Sequence, residues 1–328
     1  MTIVDERAGG GGERLMLADT PSLYFRAFHG VPRSVRAPDG MPVNAVRGLV
    51  DVLARQIGEL RPRRLVCCFD ADWRPAFRVA LIPSYKAHRV AAAGDAGGEA
   101  GAVAEEVPDE LEEQLPVIDA VLDAFGIARA EAAGFEADDV IATLAARHSD
   151  AGAGPVDILT GDRDLFQLVC DSTGVVVRYA VEKFAVVDEA SVTARYGIPG
   201  RRYADFAVLR GDPSDGLPGV AGIGAKTAAA LLGRFGSLAG ALAALDAGAV
   251  DGFPAGARAR LLAAREYLTA AVTVVEVVRD APVEPVTGVL PAAPVDAEAV
   301  RELAERYGLS GSVGRLKAAL AAAAAAGA

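Results

Sequence analysis

Ile158–Val169 reads ILTGDRDLFQLV, and the reading of this stretch decides the fold. A β-branched apolar run ends at Gly161, two aspartates follow with one residue between them, and a short amphipathic stretch comes next. Asp162 and Asp164 therefore sit where a buried strand gives way to a helix. That edge of an open α/β sheet is where ligands bind. The pair alone is equally a turn with a helix cap, because aspartate side chains accept hydrogen bonds from nearby backbone N–H groups. Whether it is more depends on what else reaches the same edge.

Working outward, Val156–Thr160 is the strand that leads to Asp162. Leu15–Ala18 is an apolar run ending at Asp19, and Leu65–Phe69 (LVCCF) is another ending at Asp70. Continuous apolar runs suit strands covered on both faces. Ile127–Glu131, Val175–Tyr179 and Phe184–Val187 are further expected strands. Between them the periodicity becomes helical. Helices are expected at Ser22–Gly30, which carries Arg26, and at Val43–Leu60, where apolar residues recur at three- and four-residue spacing. Others are expected at Pro108–Phe125, at Phe135–Ala146 with Glu136, Asp138 and Asp139 in its first turn, and at Asp188–Tyr196. His29 reads as a packing or capping residue. Alternating strands and helices predict a mostly parallel sheet with helices on both faces.

Residues 71–90 change character. Trp73, Arg74, Phe77, Arg78, Tyr85, Lys86, His88 and Arg89 interleave aromatic and basic side chains. Such mixing suits base stacking with phosphate contact, and it equally suits a short helix and turn with an exposed basic face. Residues 91–107 are rich in Ala and Gly and read as a flexible segment. Between 91 and 113 there are eight acids and no Lys or Arg.

After residue 200 the pattern is helical. Tyr203–Arg210 runs into GDPSDGLPGVAGIGAKTAAALL, where Asp212 and Asp215 are three apart and share a face on helical or turn geometry. Gly219, Gly222 and Gly224 precede Lys226, Thr227 and an Ala/Leu helix, so exposed backbone N–H groups at a helix start offer an anion site. Short helices to about residue 268, a linker at Pro282–Pro294, a helix at Ala297–Tyr307 and a frayed alanine tail complete the reading.

The chain of 328 residues carries a formal charge of −11 and three cysteines, two of them adjacent. Three cysteines support neither a disulfide framework nor a zinc site, and a reducing cytoplasm is the expected setting. No run reaches the roughly 18 apolar residues of a membrane span, so no membrane partner is expected. Residues 1–13 lack the layout of a signal peptide and read as a disordered leader. A negative total argues weakly against nucleic acid, since phosphate contacts need Lys and Arg. The sum hides position, however, because the acids cluster at strand ends.

Asp19, Asp70, Glu136, Asp138, Asp139, Asp162, Asp164, Asp212 and Asp215 form five groups that a parallel sheet can bring to one edge. Two carboxylates about 4 Å apart repel by about 4 kcal/mol at an effective dielectric near 20. Divalent metal relieves that repulsion, and oxygen-only ligands favour Mg²⁺ or Mn²⁺ over zinc. Two such ions about 4 Å apart suit phosphodiester cleavage.

With these residues assembled, the chain resembles the 5′-nuclease family: the 5′→3′ exonuclease domain of bacterial DNA polymerase I, its stand-alone relatives and the flap endonucleases. The resemblance spans about residues 14–290. It rests on LADTPSLYFRAFHG, FDADWRPAFR, YKAHR, FEADDVIATLA, TGDRDLFQLV and RGDPSDGLPGVAGIGAKTAAALL, in that order. It implies a PIN-like α/β core at 14–200 with a helical arch at about 75–113. A helix–three-turn–helix DNA-binding region at 201–290 and a C-terminal helix and tail at 291–328 would follow. It also implies roles. Asp70, Glu136, Asp138, Asp139, Asp162 and Asp164, with Asp19 close by, would surround the more buried metal. Asp212 and Asp215 would complete the second. Lys86 and Arg89 would contact the scissile phosphate, Tyr85 would stack on the terminal nucleotide, and Arg26 would touch phosphate. Gly219, Gly222, Gly224, Lys226 and Thr227 would hold duplex phosphates, with K⁺ as a further guest.

The expected activity is that of a Mg²⁺- or Mn²⁺-dependent, structure-specific 5′ nuclease in primer removal and DNA repair. It would act as a monomer on DNA with a 5′ flap, overhang or nick, and on RNA–DNA primers. A junction-binding protein with little catalysis and a metal-dependent ribonuclease on a related fold are the alternatives. The resemblance also exposes departures. The stretch after Arg89 is longer than in polymerase I and acidic, and Pro213 and Gly216 stand where Ser and Asn are more frequent.

Overall fold

The computed structural model describes residues 12–90 and 105–326. Its centre is a six-stranded sheet. β1 (Leu15–Asp19) feeds α1 (Thr20–Gly30) and α2 (Asn44–Leu60), then β2 (Arg64–Cys68). The short α3 (Ala76–Leu81), α4 (Asp109–Glu112) and α5 (Leu115–Phe125) precede β3 (Ala128–Ala130). Next come α6 (Ala137–Asp150), β4 (Val156–Thr160), β5 (Val175–Tyr179) and β6 (Ala185–Val187). The order across the sheet is β3-β2-β1-β4-β5-β6. All neighbours run parallel except β5 and β6, which pair antiparallel. The order reverses between β1 and β4, the switch point at which a crevice opens beyond the carboxyl ends of an open α/β sheet.

Strand alternation divides the core into two. Leu15, Leu17, Val66, Cys68, Val156 and Ile158 face one layer, which holds α6 and the helices between residues 203 and 275. Met16, Ala18, Leu65, Cys67 and Leu159 face the other, with α2 and α5. Successive side chains on a strand point to opposite faces, so a strand sandwiched between helices is apolar throughout, as these are. The adjacent cysteines are buried core residues, one on each face.

The remaining helices are α7 (Glu189–Tyr196), α8 (Tyr203–Arg210), α9 (Ala225–Phe235), α10 (Leu238–Asp246), α11 (Ala257–Ala263), α12 (Arg265–Val275), α13 (Ala297–Arg306) and α14 (Ser310–Ala326). Among the described residues no single helix is long and apolar enough to cross a membrane.

Several expectations need correction. The helix expected at 108–125 is two helices, α4 and α5. Pro116 lies in the first turn of α5, where its missing N–H is tolerated. Gln114 between them is fully buried and its amide oxygen accepts from Ala45 N, at 2.8 Å. The stretch after Asp162 is a 3₁₀ turn, Asp164–Leu168, rather than an α-helix. Gln167 pins it to the end of α12: its amide donates to Val275 O at 3.2 Å and its oxygen accepts from Val277 N at 3.1 Å. The 282–294 segment is no free linker, since Leu65 N donates to Gly288 O at 2.7 Å and Leu290 N to Arg63 O at 3.1 Å. The alanine tail is α14, packed on α2 through Val313, Leu316 and Leu320. Of the expected leader only residues 12 and 13 are described, and Glu13 pairs with Arg64 at 2.8 Å. Most of the expected flexible segment lies outside the described residues. Glu106, which is described, donates its N–H to Arg89 O at 2.7 Å.

Candidate active site

Each acidic side chain at the sheet's carboxyl edge arrives there because a strand ends or a helix begins. Asp19 is the last residue of β1 and the N-cap of α1. Its Oδ1 accepts from Ser22 N at 3.2 Å and its Oδ2 from Thr160 Oγ1 at 2.5 Å. Asp70 follows β2 and accepts from Ala137 N at 2.7 Å, in the first turn of α6. Glu136 is the residue before α6, and Asp138 lies in that helix's first turn. Asp162 follows β4, donates its N–H to Thr160 Oγ1 and accepts from Asp164 N, both at 2.8 Å. Capping and a place at the crevice are compatible: Asp19 caps α1 and also lines the cavity.

The crevice is a cavity of about 500 Å³ lined by Asp19, Ser22, Phe25, His29, Asp70, Lys86, His88, Arg89, Glu105, Glu136, Asp138 and Asp162 among others. Asp164, Asp212 and Asp215 do not line it. They form a second group that feels the charge of Asp162. Asp212 and Asp215 flank a 3₁₀ turn, Pro213–Asp215. Asp212 Oδ1 caps this turn at Ser214 N (2.9 Å), and its Oδ2 faces Arg210 at 3.4 Å and Arg163 at 3.7 Å.

The electrostatics follow from burial. Desolvation pushes Asp19 up to about 7 against its hydrogen bond from Thr160, and Asp162 and Asp70 add to the rise. Burial first, then Asp19 and Asp162, holds Asp138 well above the ordinary carboxylate range. Burial first, then Asp162, Asp215 and Asp212, does the same to Asp164, whose Oδ1 is buried without a hydrogen-bond partner. Asp70 and Asp215 are raised too, chiefly by burial, with Lys86 opposing the rise in both. On Lys86 burial disfavours the charge, but Glu136, Tyr85, Asp215 and Asp70 outweigh it and hold the ammonium well above its usual value.

Two cations share the site and pair with its carboxylates. Lys86 Nζ is paired with Glu136 Oε1, and Arg89 Nη2 lies 3.1 Å from Asp215 Oδ1. The groups that gather at this edge to hold an ion are carboxylates, Asp19, Asp70, Glu136, Asp138 and Asp162 in the cavity, and beside them Asp164 Oδ1 is buried without a partner. That donor set fits a hard divalent cation and not zinc. Among the described residues no three His, Cys, Asp or Glu side chains are drawn together as a finished ion cage. Uncompensated like charges in a desolvated site repel and stay apart.

Two expected site residues are placed elsewhere. Asp139 is fully buried and turned away from the cavity, because Arg78 donates to both its oxygens at 2.7 Å and Val278 N donates to Oδ1 at 2.8 Å. Tyr85 shows no face for stacking. It is 4% exposed, and its hydroxyl donates to Glu136 Oε2 at 2.7 Å. Arg26, Gly224 and Lys226 are exposed, the last two at the start of α9. Gly219 is required by its backbone: φ is +68°, and a Cβ would meet Gly211 N at 2.4 Å.

Arg78 is the residue that sequence reasoning misread. It was grouped with surface bases, yet it is 2% exposed and ties Glu136 (2.5 Å), Asp139 and Val274 O (2.9 Å) together. The available signal was its place within the apolar run AFRVAL. Phe25 and Glu105 were missed as cavity residues, and His29, in the last turn of α1 and packed edge-on against Phe28, also lines the cavity.

Comparison with known proteins gives the family. Residues 14–197 match the model of the 5′-3′ exonuclease N-terminal resolvase-like domain, and residues 198–298 match that of the 5′-3′ exonuclease C-terminal SAM fold. A 5′-3′ exonuclease of Streptomyces coelicolor is 57% identical, over 92% of this chain and 98% of that one. A 5′-3′ exonuclease of Mycobacterium tuberculosis is 51% identical, over 93% and 97%. A bacteriophage T5 flap endonuclease, solved with DNA and metal ions, superposes with a TM-score of 0.60 at 18% identity, over 95% and 99%.

Proposed function

The chain belongs to the 5′-3′ exonuclease family and is a nuclease, and from that premise we propose a divalent-metal-dependent, structure-specific 5′ nuclease that hydrolyses DNA phosphodiesters near single-strand/duplex junctions. The observation that supports this best is the convergence of acidic side chains from β1, β2, β4 and α6 on one cavity that Lys86 and Arg89 also line. In this reading Asp19, Asp70, Asp138 and Asp162, with Glu136, hold one ion. Asp162, Asp164, Asp212 and Asp215 serve a second. Asp139 is left out, since its oxygens are already spent on Arg78 and backbone. Mg²⁺ or Mn²⁺ there supplies the Lewis acidity for phosphodiester hydrolysis.

The chain's own residues do the rest. Lys86 and Arg89 hold the scissile phosphate and offset its developing charge, as preorganised cations do in a partly desolvated site. Phe25 and His29, on the cavity wall, flank the displaced nucleotide in place of the buried Tyr85. Gly219–Thr227 present backbone N–H groups to duplex phosphate, with K⁺ as a partner there, and Arg26 adds a phosphate contact. The region from residue 201 to 290 would grip the duplex while the 14–200 core cuts. The implied setting is cytoplasmic replication and repair by a monomer, with 5′ flaps, overhangs, nicks and RNA–DNA primers as substrates.

Incubation of the purified protein with a labelled 5′-flap duplex and Mg²⁺ tests this reading. Cleavage at the junction, leaving 3′-hydroxyl and 5′-phosphate ends, is expected, and Asp162→Ala should bind without cutting. An intact flap that is bound in Mg²⁺ would instead indicate a junction-binding protein, and cutting of RNA alone would indicate a ribonuclease.

A further inference from the structure

Two further carboxylates, Glu105 and Glu106, line the cavity that Lys86 and Arg89 share. Five other carboxylates of that cavity serve the first ion in the reading above, and these two serve none. Both lie in the acidic stretch after Arg89 that is longer here than in polymerase I. Their place is fixed from both sides. Glu105 pairs antiparallel with Val90, and Glu106 donates its N–H to Arg89 O at 2.7 Å. The Arg89 side chain is itself held, donating to Ser214 O at 2.9 Å and to Asp215 Oδ1 at 3.1 Å. On the other side, Val107 packs against the buried Phe28 and Leu111. Glu105 is half-buried and Glu106 exposed. Burial raises the Glu105 carboxyl above its usual range and Asp70 adds to the rise, while Arg89 and then Lys86 oppose it. Among the described residues neither carboxylate forms an ion pair, since Lys86 and Arg89 are turned to Glu136 and Asp215.

The consequence is electrostatic. Lys86, Arg89 and the metal compensate the scissile phosphate. A displaced strand brings further phosphates behind it, each a full negative charge with no such partner. A fixed, unpaired carboxylate repels them with a strength that falls with distance and with salt. Placing like charge against the unwanted ligand is a means of discrimination. Resting on the nuclease reading proposed above, we propose that Glu105 and Glu106 are specificity-determining residues: their unpaired charge shifts the preference of the enzyme toward 5′ ends with few displaced nucleotides and away from long flaps. The nine acids that surround the ions promote cleavage, and these two select what is cleaved.

The test compares kcat/KM of the full chain in Mg²⁺ on three duplexes that differ only in the displaced strand. One carries a single 5′-hydroxyl nucleotide, one a long flap, and one the same long flap with neutral methylphosphonate linkages in its displaced part. In Glu105→Gln, Glu106→Gln the charged long flap should gain about 3- to 10-fold relative to the single nucleotide and to the neutral flap. That gain should vanish at about 1 M salt, where the screening length is about 3 Å. Glu112→Gln removes the same charge from an exposed position on α4 and should change no ratio by more than about 2-fold, because exposed charges beyond a screening length hardly interact. Unchanged ratios in the double variant, or an equal gain on the neutral flap, overturn the proposal and leave the nuclease reading standing. A wild type that cuts none of the three overturns that reading, and the proposal with it. If the double variant does not fold, Glu105→Gln alone is read in its place, with the same outcomes.

Discussion

The two acidic groups of this site are built differently. Asp19, Asp70 and Asp138 belong to the ends of strands and the first turn of α6, so the sheet's own register places them. Asp212 and Asp215 flank a 3₁₀ turn whose position depends on hydrogen bonds to a distant segment, residues 84–89. The first group is fixed by secondary structure and the second by packing between parts of the chain some 125 residues apart. A strand-end carboxylate moves only if the sheet moves. A turn carboxylate moves when its neighbours do. The first group should therefore answer to substitutions of the carboxylates themselves, and the second also to changes in what holds the turn.

The largest effect should come from within the first group. Asp138→Asn removes a charge from the cavity without removing its shape, and should lower flap cleavage by on the order of 1,000-fold, several kcal/mol of lost charge stabilisation. Circular dichroism should be unchanged. Arg78→Leu comes next and reads on stability. It strands Asp139 as a buried charge without a cation and leaves Glu136 to Lys86 and Tyr85, a loss of about 3–5 kcal/mol measurable by urea denaturation. A variant as stable as the wild type would mean that the buried network does not hold the first group in place.

The pH dependence should be smaller and has a definite sign. Asp19 ionises near 3.9 in an unfolded chain and at about 7 in the fold, because of its burial. Below about pH 4 it is protonated in both states, and its contribution to stability is present in full. As pH rises toward 7 the unfolded chain releases a proton that the fold retains, so the contribution is lost. Asp70, Asp138, Asp164 and Asp215 are shifted in the same direction. Metal-free protein should melt at a lower temperature at pH 8 than at pH 5.5, and Mg²⁺ should raise the melting temperature more at pH 8. A flat profile would contradict it. Smallest of all, Arg315→Ala removes the exposed pair with Asp51, which tethers α14 to α2, and should cost under about 1 kcal/mol. A larger loss would show that the C-terminal helix depends on that pair rather than on its apolar face.

The same contrast explains what the sequence revealed. The strands at Val156–Thr160 and Val175–Tyr179 and the helix at Tyr203–Arg210 were legible to the residue, because apolar runs and turn residues bound them locally. The carboxylates that end strands were legible for the same reason. Asp139 was not, because its neighbour Asp138 has the same local chemistry and only the partner Arg78, some 60 residues away, separates their roles. Tyr85 and Arg78 were read as surface residues from an aromatic and basic composition that a buried network shares. The 3₁₀ turn at Asp164 and the strapping of Gly288 against β2 depend on Gln167 and on an edge contact, neither of which has a periodic signature. The alanine-rich α14 has only Val313, Leu316 and Leu320 as larger apolar residues on its buried face, too short a stripe to read as a packed helix beside a run of alanines.

The measurement that bears most directly on the central claim is a count of Mn²⁺ bound to the complex with a nicked product duplex, by paramagnetic resonance, in the wild type and in two variants. Two ions are expected in the wild type. Asp70→Asn should lose one and Asp215→Asn the other, with the duplex still bound. Absence of bound Mn²⁺ in the wild-type complex, or full occupancy in both variants, would contradict an acidic cavity built to hold divalent ions.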